Sequence, residues 1–156
     1  MKLKILVGTM TGTAEHLAQA IAMDCADLVD SIEVQLMDGL GTSAFDEPAL
    51  YLVCTSTYGA GDLPDNAQAL YHALEAHSRF LGHVRYGVIA LGDNGSHAAT
   101  FCLGGKRFDE RLAGLGAQRI GDIWCHDASD GTVAETEGAA WCRAWLTQAA
   151  PAATIA

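Results

Sequence analysis

The stretch Gly8-Thr9-Met10-Thr11-Gly12-Thr13-Ala14-Glu15 decides how this chain is read. Before it, Leu3 to Val7 is apolar apart from Lys4 and rich in β-formers, as a central parallel strand is. After it, Leu17, Ile21, Cys25 and Leu28 recur at helical spacing, which predicts a helix from Leu17 to Val29. A strand, a hydroxyl-rich turn and a helix start make an anion site. The first N–H groups of a helix have no partner inside it, and the helix dipole favours negative charge there. The hydroxyls of Thr9, Thr11 and Thr13 add further donors. No Lys or Arg occurs between Lys4 and Arg79, so a phosphate bound here would be held by N–H and O–H dipoles and not by a cation. The turn is not a Walker loop, because no Gly-Lys-Ser/Thr closes it, and the dinucleotide fingerprint G-x-G-x-x-G is absent.

Downstream, the same grammar repeats. Ser31 to Met37 alternates, with Ile32, Val34 and Leu36 inward, and reads as a strand near an edge. Asp38 to Pro48 is a loop, and Ala49 to Thr55 is a buried strand. A second glycine-rich loop, Ser56-Thr57-Tyr58-Gly59-Ala60-Gly61-Asp62-Leu63-Pro64-Asp65-Asn66-Ala67, leads to a helix over Asn66 to His77, with Leu70 and Leu74 facing the core. Val84 to Leu91 is the fourth strand, followed by the loop Gly92-Asp93-Asn94-Gly95-Ser96-His97. A helix from about Thr100 to Leu115 stops at Gly116. Arg119 to His126 reads as one fifth strand, and the last helix starts near Ala134, with Trp141 and Trp145 as packing residues. Alternating helices and buried strands mean an α/β doubly wound parallel sheet. Ligands of such sheets sit at the carboxyl ends of the strands. All three glycine-rich loops leave strands at that end.

The totals narrow the class. The length of 156 residues suits one domain, taken as 1–150 with a short Ala-rich tail at 151–156. A net charge of −10 argues against nucleic acid and anionic membranes, and for a basic protein partner or plain solubility. Cys25, Cys54, Cys102, Cys125 and Cys142 are odd in number and contain no C-x-x-C, so neither a disulfide framework nor a zinc site is expected; reduced thiols suit a cytoplasmic location. The apolar N-terminal run is too short for a signal peptide or a membrane span. His72 and His77 have a poor spacing for a metal, and no nucleophile accompanies His126 and Asp127, so no metal ligands and no catalytic residues are assigned.

These residues together resemble short-chain flavodoxins and the FMN domain of diflavin reductases, over nearly the whole chain. Thr11-Gly12-Thr13-Ala14-Glu15 is similar to the diflavin phosphate loop, and the loop from Ser56 to Ala67 is the most specific match. Leu91-Gly92-Asp93 resembles the start of the third flavin loop, Thr100-Phe101-Cys102 its exit, and Leu115-Gly116-Ala117-Gln118-Arg119-Ile120 a further family segment. The resemblance implies a flavodoxin-like five-stranded parallel sheet in the order 2-1-3-4-5, with helices on both faces and FMN as cofactor. The chain stops short of any FAD or pyridine-nucleotide domain, and it lacks the length for the insertion that splits the last strand of long-chain flavodoxins.

Carried over residue by residue, the resemblance implies that Thr9, Met10, Thr11, Gly12, Thr13 and Ala14 hold the FMN phosphate, with Ser56 at its edge. Thr57, Tyr58, Gly59, Ala60 and Gly61 would border the isoalloxazine, with the Tyr58 ring stacked on one face. Gly59 would offer its peptide group to N5, a rearrangement a residue without Cβ tolerates. Leu91, Gly92, Asp93 and Asn94 would also bind the cofactor, the backbone of Asp93 and Cys102 would reach the pyrimidine edge of the flavin, and Asp127 or Asp130 would sit beside the flavin site. The family's third-loop Tyr is missing. His97 is the ring present in that loop, either as a smaller, titratable stacking partner or as a solvated residue. Cys102 reads as a packing position and not as a reactive thiol.

The function implied is that of a low-potential one-electron carrier between basic redox partner proteins, a donor reductase and an acceptor enzyme, working as a monomer. A carboxylate about 8 Å from a reduced flavin, at an effective dielectric near 20, repels it by roughly 2 kcal/mol. That is on the order of 90 mV for one electron. Asp62, Asp65, Asp93, Asp127 and Asp130 fall on loops near the crevice and would also steer a basic partner. Two other readings stay open: a small FMN-dependent quinone or nitro reductase, and a flavodoxin-fold interaction protein without FMN.

Overall fold

The computed structural model describes residues 1–58, 61–77, 79–93 and 102–155, with side chains as far as residue 149. In chain order the elements are β1 (Lys2–Gly8), α1 (Thr13–Asp24), β2 (Ser31–Leu36), β3 (Leu50–Ser56), α2 (Gln68–Ala76), β4 (Arg85–Gly92), α3 (Leu103–Gly114), β5 (Gln118–Arg119), β6 (Trp124–Asp127) and α4 (Ala134–Ile155). Short 3-10 turns at Thr42–Phe45 and Asp65–Ala67 precede β3 and α2. All strand pairings are parallel, in the order β2-β1-β3-β4-β5, with β6 also on β4. This is the expected 2-1-3-4-5 doubly wound sheet.

The central strands β1, β3 and β4 are buried along nearly their whole length. Covered on both faces, they need apolar side chains on both. One core lies under α1 and α4 and contains Ile5, Val7, Leu17, Ile21, Leu52, Ile89 and Trp145. The other lies under α2 and α3 and contains Leu6, Val53, Leu70, Leu74, Tyr86, Val88 and Phe108. Gly138 lets α4 lie close on α1, since a Cβ there would fall 2.4 Å from Leu17 Cδ1. No helix among the described residues is long and apolar enough to cross a membrane.

Three local expectations are corrected. First, the helix after the phosphate-type turn begins at Thr13 and ends at Asp24, not at Val29. The Arg143 guanidinium of α4 donates to the Asp24 carbonyl at 2.7 Å and to the Asp27 carboxylate at 2.8 Å, and so holds the end of α1 open; Leu28 is 36 % exposed instead of lying in the core. Second, Leu36 at the end of β2 is 39 % exposed, while Ile32 and Val34 pack against the core as expected.

Third, the single strand over Arg119 to His126 is two strands. Pairing with β4 stops at Tyr86↔Arg119 and resumes at Ile89↔Trp124, so β4 advances from 86 to 89 while its partner advances from 119 to 124. That two-residue excess is absorbed as a bulge, in which Gly121 takes a φ of +74°. The Trp145 indole fills the gap. Its Nε1 donates to the Ile120 carbonyl at 2.8 Å, and its ring covers Gly87, where a Cβ would lie 2.5 Å from the indole. β5 and β6 thus share one lane beside β4, and the sheet keeps its order.

Candidate functional site

Register puts the ends of the central strands at one rim. Gly8 sits opposite Thr55, Ser56 opposite Leu91, and Gly92 opposite Asp127. The chain therefore leaves β1, β3, β4 and β6 on the same side, and the predicted residues Thr9 to Ala14, Ser56 to Tyr58, Gly61, Leu91 to Asp93, Cys102 and Asp127 are brought together there. Gly59, Ala60, Asn94 and His97 lie outside the described residues, as does the expected start of the third helix at Thr100.

Gly12 is the N-cap of α1 with a φ of +94°, and no side chain caps the helix. The Thr9 hydroxyl instead accepts the Gly12 N–H at 2.9 Å, which tightens the turn. The first-turn N–H groups of α1 point to the rim, where the dipole is positive. Thr11 and Thr13 are exposed beside them. Gly8 has no room for a side chain: a Cβ would lie 2.5 Å from Thr55 Oγ1 and 3.2 Å from Ala67 Cβ.

The second loop is fastened at three points. The backbones of Tyr58 and Asp62 bond each other in both directions, at 2.7 and 2.8 Å. Thr57 N–H donates to the Leu91 carbonyl at 2.9 Å, and Thr57 Oγ1 accepts the Gly104 N–H at 3.0 Å, tying the loop to β4 and to the start of α3. The third point is Asn66. Its Oδ1 accepts the Thr9 N–H at 2.8 Å, while its Nδ2 donates to the Val7 carbonyl at 3.1 Å and to Asp38 Oδ2 at 3.2 Å. The Asp65 N–H also reaches Met10 Sδ at 3.2 Å. The Tyr58 ring, on backbone paired with Asp62, is 50 % exposed.

The far wall is acidic and ordered. Asp127 Oδ1 accepts the Ser129 N–H at 2.9 Å and its hydroxyl at 2.7 Å, and the Ala128 N–H donates to the Gly92 carbonyl at 2.8 Å. Asp130 accepts from the Thr132 hydroxyl and N–H, which hold its carboxyl below the usual range. Buried His126 bonds Thr132 Oγ1 at 2.8 Å. Its ring continues a run of aromatic contacts, Trp145–Trp141–Trp124–His126, with centroids 5.6, 6.1 and 5.5 Å apart. Cys102 has a φ of +62°, the one positive φ outside glycine among the described residues, and its thiol sits 3.1 Å from the Ala90 carbonyl.

The site residues expected from the sequence omit Asn66, and they include Thr57 as a flavin neighbour and not as a fastener. Asn66 lies inside the second-loop motif, but its bonds to the first loop join residues 57 positions apart. The Thr57–Gly104 bond likewise spans 47 positions. Neither leaves a periodic signal.

A sheet wound 2-1-3-4-5, with a hydroxyl-rich turn, an aromatic turn and an acidic loop on one rim, is the architecture of flavin-carrying α/β proteins. The sequence profile described as "Flavodoxin" matches residues 5–141, and the chain belongs to the flavodoxin family. It is 36 % identical to flavodoxin YqcA of Escherichia coli strain K12 over 153 residues, which cover 92 % of this chain and 95 % of that one. It is 38 % identical over 137 residues to bovine NADPH–cytochrome P450 reductase, a match to 84 % of this chain but 20 % of that protein. In structure it resembles a cysteine-to-serine mutant of a flavodoxin from Pseudomonas aeruginosa, with a TM-score of 0.81, 31 % identity, and 96 % and 99 % of the two chains covered. FMN is the cofactor that family membership carries.

Proposed function

We propose that this protein is a one-electron carrier that ferries low-potential electrons between a reductase and an acceptor enzyme. The observation that supports it most is that the turn after β1 and the loop after β3 meet at one rim, joined by the Asn66 side chain, while Thr57 ties the second loop to β4 and to the start of α3. The rim suits FMN. The uncapped first turn of α1 and the hydroxyls of Thr9, Thr11 and Thr13 match a phosphate held without a cation. The half-exposed Tyr58 ring matches a flat isoalloxazine.

In this reading the first turn binds the phosphate with Ser56 at its edge, Tyr58 covers one ring face, and the backbone near Asp93 and Cys102 recognises the pyrimidine edge. When bound, FMN supplies the one-electron chemistry. The chain supplies the field. Asp62, Asp65 and Asp130 are exposed and Asp93 and Asp127 half-buried, and each carboxylate opposes added negative charge on the cofactor. The same carboxylates favour basic partners. A carrier of this kind needs no substrate pocket, only an open ring edge.

The test is kinetic. FMN-reconstituted protein, reduced by a pyridine-nucleotide-dependent flavoprotein reductase, is mixed with a haem protein of net positive charge. Electron delivery should be fast and should slow as salt is raised. Failure to take up FMN rejects the assignment, and rapid direct reduction by NADPH alone favours a stand-alone reductase.

A further inference from the structure

Five cysteines scattered through the sequence become two close pairs and one solitary residue in the fold. Cys25 of the α1 end meets Cys142 of α4, both fully buried. Cys102, just before α3, meets Cys125 of β6. The second pair differs from the first in two ways. Cys125 is partly exposed, and Cys102 holds the strained left-handed backbone next to the rim.

The geometry follows from the sheet. Cys125 pairs with Ala90 across β4 and β6, and the Cys102 sulfur lies 3.1 Å from the Ala90 carbonyl and 4.0 Å from that of His126. The Cys102 sulfur is therefore wedged over the β4–β6 seam at the level of Cys125. We propose that Cys102 and Cys125 form a reversible disulfide on exposure to a hydroperoxide, with Cys125 as the attacking thiol and Cys102 as the resolving one. Contact with the Cys102 thiol lowers the Cys125 thiol against the opposing effect of burial, and Lys106 adds to the lowering. The thiolate is the reactive form, and Cys125 is the member of the pair that solvent reaches.

The chemistry balances. The Cys125 thiolate attacks one peroxide oxygen; an S–O bond forms, the O–O bond breaks, and the departing hydroxide takes up the proton that the Cys125 thiol had released. The Cys102 sulfur then attacks the Cys125 sulfur; the S–S bond forms, the S–O bond breaks, and water leaves with the Cys102 proton. Two thiols lose two electrons, and hydrogen peroxide becomes two waters. A dithiol reverses the step. The new bond draws the Cys102 sulfur off the Ala90 carbonyl and shifts the backbone before α3. If that backbone borders the cofactor, which rests on the proposed FMN site, oxidation loosens FMN.

The full-length protein is treated with one equivalent of hydrogen peroxide at neutral pH, and its thiols and peptides are mapped. The expected result is loss of two of the five thiols, a mass lower by two hydrogens and one peptide pair joined through Cys102 and Cys125, all reversed by dithiothreitol. Cys102→Ser should stop at a dimedone-trapped sulfenic acid on Cys125, and Cys125→Ser should remain unoxidised at both positions. No thiol loss, a persistent sulfenic acid in the native sequence, or a crosslink at Cys25–Cys142 instead overturns the proposal. FMN should bind the oxidised form about tenfold more weakly; equal affinity in the two forms removes the link to the rim. A protein that binds no FMN in either form sinks the carrier reading, while mass and thiol count still decide on the disulfide.

Discussion

The Asn66 side-chain oxygen accepts the Thr9 N–H at 2.8 Å, and this bond joins the first loop of the rim to the second. The same amide donates to the Val7 carbonyl and to Asp38. Asn66→Ala strips these partners together and leaves part-buried backbone groups unsatisfied, a cost of about 1–3 kcal/mol. The expected outcome is a lower melting temperature in the absence of FMN and roughly tenfold weaker FMN binding by fluorescence titration. Unchanged affinity would mean that the first loop holds its shape without Asn66.

Tyr58 stands at the opposite extreme, half exposed on backbone paired with Asp62. Tyr58→Ala should leave stability within about 0.5 kcal/mol, as surface changes do. It should weaken FMN binding by about 1 kcal/mol through lost stacking and raise the potential for the second electron. A spectroelectrochemical titration reads both effects, and a variant with native affinity and potential would take Tyr58 out of the site.

Gly104 marks where α3 touches the second loop. A Cβ there would lie 2.7 Å from the Ser56 carbonyl oxygen, which is backbone and cannot swing aside. Gly104→Ala should destabilise the protein by about 1–3 kcal/mol and disturb the Thr57 hydrogen bond. Urea unfolding measures the first effect. A midpoint equal to that of the native chain would show that the helix slides freely.

Trp145 closes the two-residue bulge between β5 and β6 by bonding the Ile120 carbonyl. Trp145→Phe keeps an aromatic ring over Gly87 but leaves that carbonyl without its donor. A loss of roughly 1–3 kcal/mol is expected, with a changed near-ultraviolet dichroism because the Trp141–Trp145 stack, at 5.6 Å and 11°, is broken. Unaltered dichroism and melting temperature would contradict the account of the bulge.

Alkaline stability has a named contributor. Burial, with Glu47 and Asp46 nearby, pushes the Tyr51 phenol up to about 12. Its neutral hydroxyl donates to the Glu47 carbonyl at 2.7 Å. A phenol raised in the folded state contributes stability that is fully present below about pH 10 and is lost as pH climbs towards 12, with a slope of up to about 1.4 kcal/mol per pH unit. Tyr51→Phe should flatten the fall in urea midpoint over that window. An equally steep fall in the variant would assign it to other groups, of which Tyr86, raised by burial and Asp109, is the next to examine.

The amino-acid sequence by itself determined the strands, the helices and the ends at which the glycine-rich loops leave the sheet. Those features follow from local period, from turn chemistry and from the need of a doubly covered strand to be apolar on both faces, and each is written within about a dozen neighbouring residues. Tertiary structure alone decided the rest. Arg143 ends α1 early, Trp145 turns one expected strand into two, Asn66 and Thr57 lash the loops together, and Cys102 comes to rest on Cys125. Each of these is a contact between side chains or backbone groups far apart in the chain. Its geometry is set by how the layers pack, and no periodicity in the sequence carries it.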